Sequence, residues 1–461
     1  MTDRGSNFLS RRRFLQASGL AAVSAALAAC AAPAASDGTM DTDDAGAMEP
    51  SSVLIWTGFG QGRMADAMQG AVDRFAEENP QYTTEHVIVP WGELHNNVIT
   101  NTAAGTPPDS YRGWAWIVAE DAPIGALTDI TDYVHAEGVP EDDYWPATWK
   151  QMQFQGRFYA MSISTIVQLF FYNKDRIAEA GFDPENVPDS LEGWEEIGRT
   201  MNETDADGTL TRIGFIPHIP SADPHNWLGA FGASVWNEDT GEVTLESPEA
   251  LALLEWYNGY ANEYGIENIA AFRTTYGGNG FGRNSPDGLY YTGQIATWQI
   301  GSWLYNDVGE YGPDLNFDVT KVPSPSTATN GKPGKLQANL YFVPSGAANV
   351  EGGYAFCSFM SSSKWVALNK AVPDSVTPSR ISNATDPEIE AAAADWLPYA
   401  RDEILPYAWA VPSMPGVGYM AGQFHEAVDA MGYEGVSPAD ALAGIQERVQ
   451  QEVNDKLASA A

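Results

Sequence analysis

This sequence predicts an α/β fold, and three observations carry the prediction. Beyond an N-terminal leader, short apolar or β-branched runs alternate with segments whose apolar residues recur at helical spacing, and the connections are short, as parallel strands with helical crossovers require. About 410 residues remain after the leader and its tether, in a chain that is 44% hydrophobic, enough to bury a core in two or three domains. Cysteine is rare, with two in 461 residues, so neither a disulfide framework nor a cysteine-based zinc site organises the chain.

The leader is MTDRGSNFLSRRRFLQASGLAAVSAALAAC. Arg11, Arg12 and Arg13 form a charged region, and Leu15 to Ala29 is mildly apolar but shorter than the roughly 20 residues a membrane span needs, so the segment reads as a targeting peptide. "SRRRFLQ" resembles the twin-arginine export signal, and "LAAC" resembles the bacterial or archaeal lipobox. That resemblance implies export by the twin-arginine route and a lipid anchor on Cys30 at the outer face of the cytoplasmic membrane, periplasmic or extracellular. Residues 31–52 are rich in Ala, Asp, Ser, Gly and Pro with almost no large apolar groups, which cannot offset the entropy of ordering, and are expected to be a disordered tether.

The folded part opens with "SSVLIWTGFGQGR", a short buried strand over Val53 to Trp56 that breaks at Gly58 and Gly60. "MADAMQGAVDRFAEENP" is a helix stopped at Asn79-Pro80, "YTTEHVIVP" a β-branched strand, "WGELHNNVITNTAAGTPPD" a second helix, and "SYRGWAWIVAE" an apolar aromatic segment. Ligands of open α/β sheets gather at the carboxyl ends of strands, here "TGFGQ", "VPWGEL" and "WAW". Those ends supply Phe59, Gly60, Trp91, Trp114 and Trp116 as candidates. At Gly60 a backbone amide can approach a ligand with no side chain in the way.

"FAEENPQYTTEHVIVPWGELHNNVITNTAAGTPPD" resembles the amino-terminal signature of the extracellular solute-binding proteins, family 1, of sugar ABC transporters. "FFYNKDRIAEAGFDP", "PDSLEGWEEIGRTM", "YTGQIATWQIGSW", "NLYFVPSGAANVEGGYAFCSFMSSS", "TPSR" and "SPADALAGIQERVQQEVNDKL" follow in the same order, over essentially the whole mature chain. Two departures bear on pocket shape: Thr297 and Trp298 stand where the family commonly has an Ala-Met pair, and the loop "TTYGGNGFGRNSPDG" is long. The resemblance implies a two-lobed, hinge-bending receptor of the type II periplasmic-binding-protein fold, each lobe a mostly parallel sheet flanked by helices. It implies three crossings, near Ser162–Thr165, Gln337–Leu340 and Val376–Arg380. Lobe 1 would then hold residues 53–163 and about 338–375, and lobe 2 about 164–337 and 376–461. It also places the "GSW" tryptophan, Trp303, in the cleft.

Fifteen tryptophans and 20 tyrosines, many in Gly- or Pro-punctuated loops, point to a sugar, whose C–H faces pack on aromatic planes while its hydroxyls take hydrogen bonds. Tyr419 in "GVGYM" joins the aromatic candidates. Polar candidates are Asp223 and His225 from "SADPHNW", Asn339 and Tyr341 flanking a hinge strand, and Arg380 at the end of a crossing. For each of these residues the plain alternative is core packing, a loop cap or a surface hydrogen bond. "ETDADGTLTRIG" begins like a calcium loop, but Gly214 stands where the bidentate Glu belongs, so a hairpin turn is expected. His218 and His225 lack a third ligand at metal spacing, and no metal or cofactor is expected. Cys357 lies in the apolar "GGYAFCSFM" and is expected to be an inert buried thiol.

The formal charge is −37, and the first 30 residues hold four of the 24 basic residues and one of the 61 acidic ones, so the mature chain is more acidic still. Such a surface repels nucleic acid and anionic lipid headgroups. The acids are scattered, which fits a saline habitat better than a cationic substrate. With so many carboxylates a glycosidase-like pair can always be nominated and proves nothing, and no nucleophile elbow, phosphate loop or zinc motif occurs. Together with these exclusions, the resemblance implies a monomeric, non-enzymatic receptor. It would capture a carbohydrate and deliver it to ABC permease subunits driven by a cytoplasmic ATPase. A same-fold receptor for a polyamine, iron chelate or glycerol phosphate, or a secreted glycosidase, is the alternative.

Overall fold

The structure, a computed structural model, describes residues 50–58, 62–219, 223–277 and 281–459. Cys30, Phe59 and Gly60 lie outside the described residues, as do the leader and most of the tether.

Strand β1 (Ser51–Thr57) turns Val53, Ile55 and Thr57 inward, the alternation of a half-covered strand. Helix α1 (Gly62–Glu78) buries Met68, Ala71, Val72 and Phe75, one face at helical spacing. It crosses to β2 (Tyr82–Ile88), which runs parallel to β1 with Ser51 opposite Tyr82 and Thr57 opposite Ile88. Helix α2 (Trp91–Ala103) then leads to β3 (Ser110–Trp114), parallel to β1 on its other side. The segment "SYRGWAW" is thus a strand that stops at Trp114, and Trp116 opens the short helix Trp116–Asp121.

One strand ties the molecule together. At roughly 3.3 Å per residue, β4 (Ala160–Asn173) is about 46 Å long. Its Ile163 belongs to the core built on β1–β3, whereas Val167, Leu169 and Phe171 enter a second core and the alternate residues Phe170 and Tyr172 a third on the opposite face. The helices α3 (Leu191–Met201) and α4 (Pro248–Tyr264) cover the Phe170 face. Strands β5 (Thr297–Gly301) and, beyond helix α5 (Leu304–Tyr311), β6 (Phe317–Thr320) pair with the carboxyl half of β4. Strand β7 (Lys335–Phe342) bridges β3 and β4, and helix α6 (Val350–Ser362) packs on the first core. The two-residue β8 (Thr377–Pro378) lies on β4, and helices α7 (Val417–Asp429) and α8 (Pro438–Ser459) join α3 and α4.

The fold is α/β and two-lobed. Parallel ladders join β1, β2 and β3, and the start of β7 also pairs in parallel with Trp409–Ala410. In the second lobe β5 and β6 run antiparallel to β4, because β4 enters from the first lobe already extended and its neighbours return along it, while the pairs Lys335–Trp409 and Leu336–Ala410 and the bridges Ser190–Ser324 and Ile213–Ile295 are parallel. At the junction Thr165 faces both Ala338 and Thr377, and Ser164 faces both Asn339 and Pro378. The side chains there are small and hydroxylated: Thr148 and Thr165 share a 2.9 Å hydrogen bond, and Asn339 Nδ2 donates to Ser164 Oγ at 2.9 Å. Ala367 and Val372 pack into the core on the Val167 face.

Two local expectations take definite form. Residues 203–212 fold as a two-stranded antiparallel hairpin, with Asp205 Oδ1 accepting from the amides of Asp207 and Thr209. Cys357 is fully buried against Ser110, and burial pushes its thiol up to about 12.

Candidate functional site

A cavity of about 690 Å³ opens where the two lobes meet the junction strands. Its first wall is made by the carboxyl ends of β1 and β3 and the start of α2. Gly58 is required there: a Cβ would come within 1.9 Å of the Trp91 ring, so only glycine lets the indole lie across the end of β1. Trp91 meets Trp114 edge to face, with ring centroids 4.9 Å apart. Arg112 is two residues before Trp114, hence on the same face of β3, and its guanidinium lies 5.4 Å from the Trp91 centroid. Arg63 at the start of α1 extends this wall and donates to Pro373 O at 2.9 Å.

The opposite wall comes from the second lobe. Gly301 leaves room for Trp303 to fold back, since a Cβ would meet the indole Nε1 at 2.3 Å. Arg283 spreads its guanidinium 3.8 Å from the Trp303 ring centre and donates from Nε to Asp307 Oδ2 at 2.5 Å. Burial raises the Asp307 carboxyl despite that partner. The floor is the junction: Ile166 of β4, Asn339 of β7, and Asp374 and Val376 just before β8. Asp374 is engaged by the buried Lys370.

A smaller cavity of about 220 Å³ continues from Trp114, lined also by Trp116, His225, Lys335, Gln337 and the start of α7. Behind it Asp223 accepts from His425 Nε2 at 2.7 Å, and Lys335 Nζ donates to Asn226 Oδ1 at 2.6 Å. Burial pushes His225 down to about 3, helped by Lys335, so its ring is neutral. Burial also lowers Lys335 to about 8, against the pull of Asp223. Asp223 is pushed up by burial, but the His425 hydrogen bond outweighs this, helped by the Lys335 charge, and it is held at about 2.

Of the sequence candidates, Trp91, Trp114, Trp303 and Asn339 line the large cavity, and Trp116 and His225 the small one. Asp223 stands behind His225. Three others sit elsewhere. Tyr341 is two residues beyond Asn339 along β7, where α1 covers it: it is fully buried, its hydroxyl donates to Met68 Sδ at 3.1 Å, and it packs in the first core. Arg380 turns away from the cavity to Asp143, 3.7 Å distant, and to the Tyr144 ring. Tyr419 is an exposed residue of α7, whose Val417, Gly418 and Ala421 line the small cavity instead.

Thr297 and Trp298 also lie outside the large cavity. Thr297 Oγ1 donates to Gly214 O at 2.6 Å, and Trp298 is core. The long loop before them does shape the site, through Arg283 and Asn284. Arg63, Arg112, Arg283, Lys335 and His425 were missed by sequence reasoning. For Arg112 a signal existed, a cation inside an apolar strand in phase with Trp114.

Comparison with known proteins agrees with this geometry. A putative binding protein of Brucella abortus (strain 2308) is 23% identical over 297 residues, 64% of this chain and 68% of that protein. The arabinooligosaccharide-binding protein of Bacillus subtilis (strain 168) is 20% identical over 298 residues, covering 60% of this chain and 61% of that one. Among solved structures, CpMnBP1 with mannotriose bound superimposes with a TM-score of 0.72 at 23% identity, over 87% of this chain and 100% of that one. An ABC substrate-binding protein from Listeria monocytogenes in complex with cycloalternan also gives 0.72, at 20% identity over 87% and 99% of the two chains. The family model for the bacterial extracellular solute-binding proteins matches residues 61–367, about two thirds of the chain, and the protein belongs to that family.

Proposed function

We propose that this protein is the solute receptor of an ABC importer and that its solute is a carbohydrate, held between the lobes. The observation that carries the reading is the large cavity, whose facing walls hold Trp91, Trp114 and Trp303 with arginine, asparagine and carboxylate groups between them. Aromatic planes with hydrogen-bonding groups are what a sugar's apolar faces and hydroxyls require. Relatives named for oligosaccharides support the same class. Capture proceeds by bending at the junction, at Ser162–Thr165, Gln337–Leu340 and Val376–Arg380, followed by delivery of the closed, monomeric form to permease subunits coupled to a cytoplasmic ATPase. The leader supplies twin-arginine export and lipid attachment at Cys30. Among the described residues no helix is long and apolar enough to cross a membrane.

Receptor rather than hydrolase is the reading the carboxylates favour. Of the three carboxylates that line the cavity, Asp307 and Asp374 are each engaged by a cation, so Glu310 has no uncommitted carboxylate there with which to form an acid and base pair. A thermal-shift screen over mono- and oligosaccharides, polyamines, iron chelates and glycerol phosphate tests the proposal. One or a few sugars should raise the melting temperature and be recovered intact. Stabilisation by a non-sugar solute alone, or cleavage of the sugar, refutes it.

A further inference from the structure

The chain has six histidines, and two of them meet at one carboxylate. Ligand atoms of Asp223, His225 and His425 all lie within 4.8 Å of one another. Asp223 immediately precedes the short helical turn Pro224–Trp227 and His225 lies within it, and His425 comes from α7 two hundred residues later, which is why local spacing hid the third donor. His225 Nδ1 is buried and has no hydrogen-bond partner among the described residues. A buried ring nitrogen without a partner is unusual enough to require an explanation.

We infer that Asp223, His225 and His425 form a binding site for a divalent transition-metal ion of the zinc class at the wall of the smaller cavity. Two imidazole nitrogens and one carboxylate oxygen make a donor set suited to zinc, and a poor one for magnesium or calcium, which take oxygen ligands. Two features oppose binding. The His425–Asp223 hydrogen bond must give way, and Lys335, whose charge is felt at both His225 and Asp223, repels a cation. Three protein donors leave a coordination position for water or for an oxygen of a bound solute, and His225 is itself a residue of the cavity wall. The inference does not depend on which solute the protein carries.

The test is titration of the purified, chelator-treated protein with cobalt(II) and then zinc(II) chloride, in millimolar magnesium to occupy ordinary surface carboxylates. One equivalent of cobalt should bind with a visible ligand-field absorption band, and one equivalent of zinc should abolish the band. His425 is largely exposed, so His425→Ala keeps the fold and should weaken cobalt binding at least tenfold, as should His225→Ala. Lys335→Gln should tighten it severalfold by removing the repelling charge. The inference is overturned if no band appears up to millimolar cobalt, or if the histidine variants bind as the parent does, which would place the ion on surface carboxylates.

Discussion

Trp303 is the residue on which the sugar reading leans most. Its indole faces the cavity, is only partly packed on core, and already carries the Arg283 guanidinium on one side. A sugar ring packed against it would gain on the order of 1 to 3 kcal/mol from apolar burial and ring contact. Trp303→Ala should therefore weaken binding roughly tenfold to a hundredfold in a calorimetric titration, with a small change in melting temperature, and Trp303→Phe should recover part of the loss. Normal affinity in the alanine variant would put the ligand elsewhere. A second residue, His218, governs behaviour in acid. It is buried against Tyr257, neither ring nitrogen has a partner among the described residues, and burial together with Arg273 holds it at about 3. Its folded pKa lies below the ordinary 6.5, so its contribution is fully present above about pH 6.5 and is lost as pH falls towards 3, an effect on the order of 4 kcal/mol. Melting temperature against pH should fall less steeply below 6.5 for His218→Leu than for the parent; equal slopes would show that the ring is accessible to protons and water.

Elements, rather than residues, explain how the walls are held. The end of β1 and the start of α2 interlock because Gly58 lacks a side chain, so Gly58→Ala should displace Trp91 and lower sugar affinity severalfold while the β1–β2 ladder persists. Unchanged affinity would mean that Trp91 contributes nothing to the solute. The helix and strand pattern over residues 51–114 was readable because apolar periodicity and Gly or Pro punctuation agree there, and the observed bounds differ from the expected ones by a few residues. Depth was not readable. Period two places Asn339 and Tyr341 on one face of β7, but only the packing of α1 decides that the first reaches the cavity and the second the core. Nor could chain order reveal partners that tertiary folding supplies, such as Arg283 over Trp303 or His425 beside Asp223.

At the scale of the whole molecule, a 14-residue strand runs from one core into two others, and three small-residue segments share the junction, so the lobes are joined by a narrow ribbon with the main cavity beside it. The two-lobed α/β class was legible from alternating elements together with motif order, while the antiparallel pairing of the second lobe was not, because strand direction is set by where β4 enters. A chain of net charge −37 brings Arg63, Arg112 and Arg283 to one cavity, where Asp307, Glu310 and Asp374 match them in number. The most direct test of solute capture is calorimetric titration of the purified protein with the oligosaccharide selected by the thermal-shift screen. Saturation at one site per chain is expected, with a negative heat-capacity change from burying aromatic surface and with the sugar recovered unchanged. Absence of binding by every sugar tried, alongside saturation by a polyamine, iron chelate or glycerol phosphate, would contradict it.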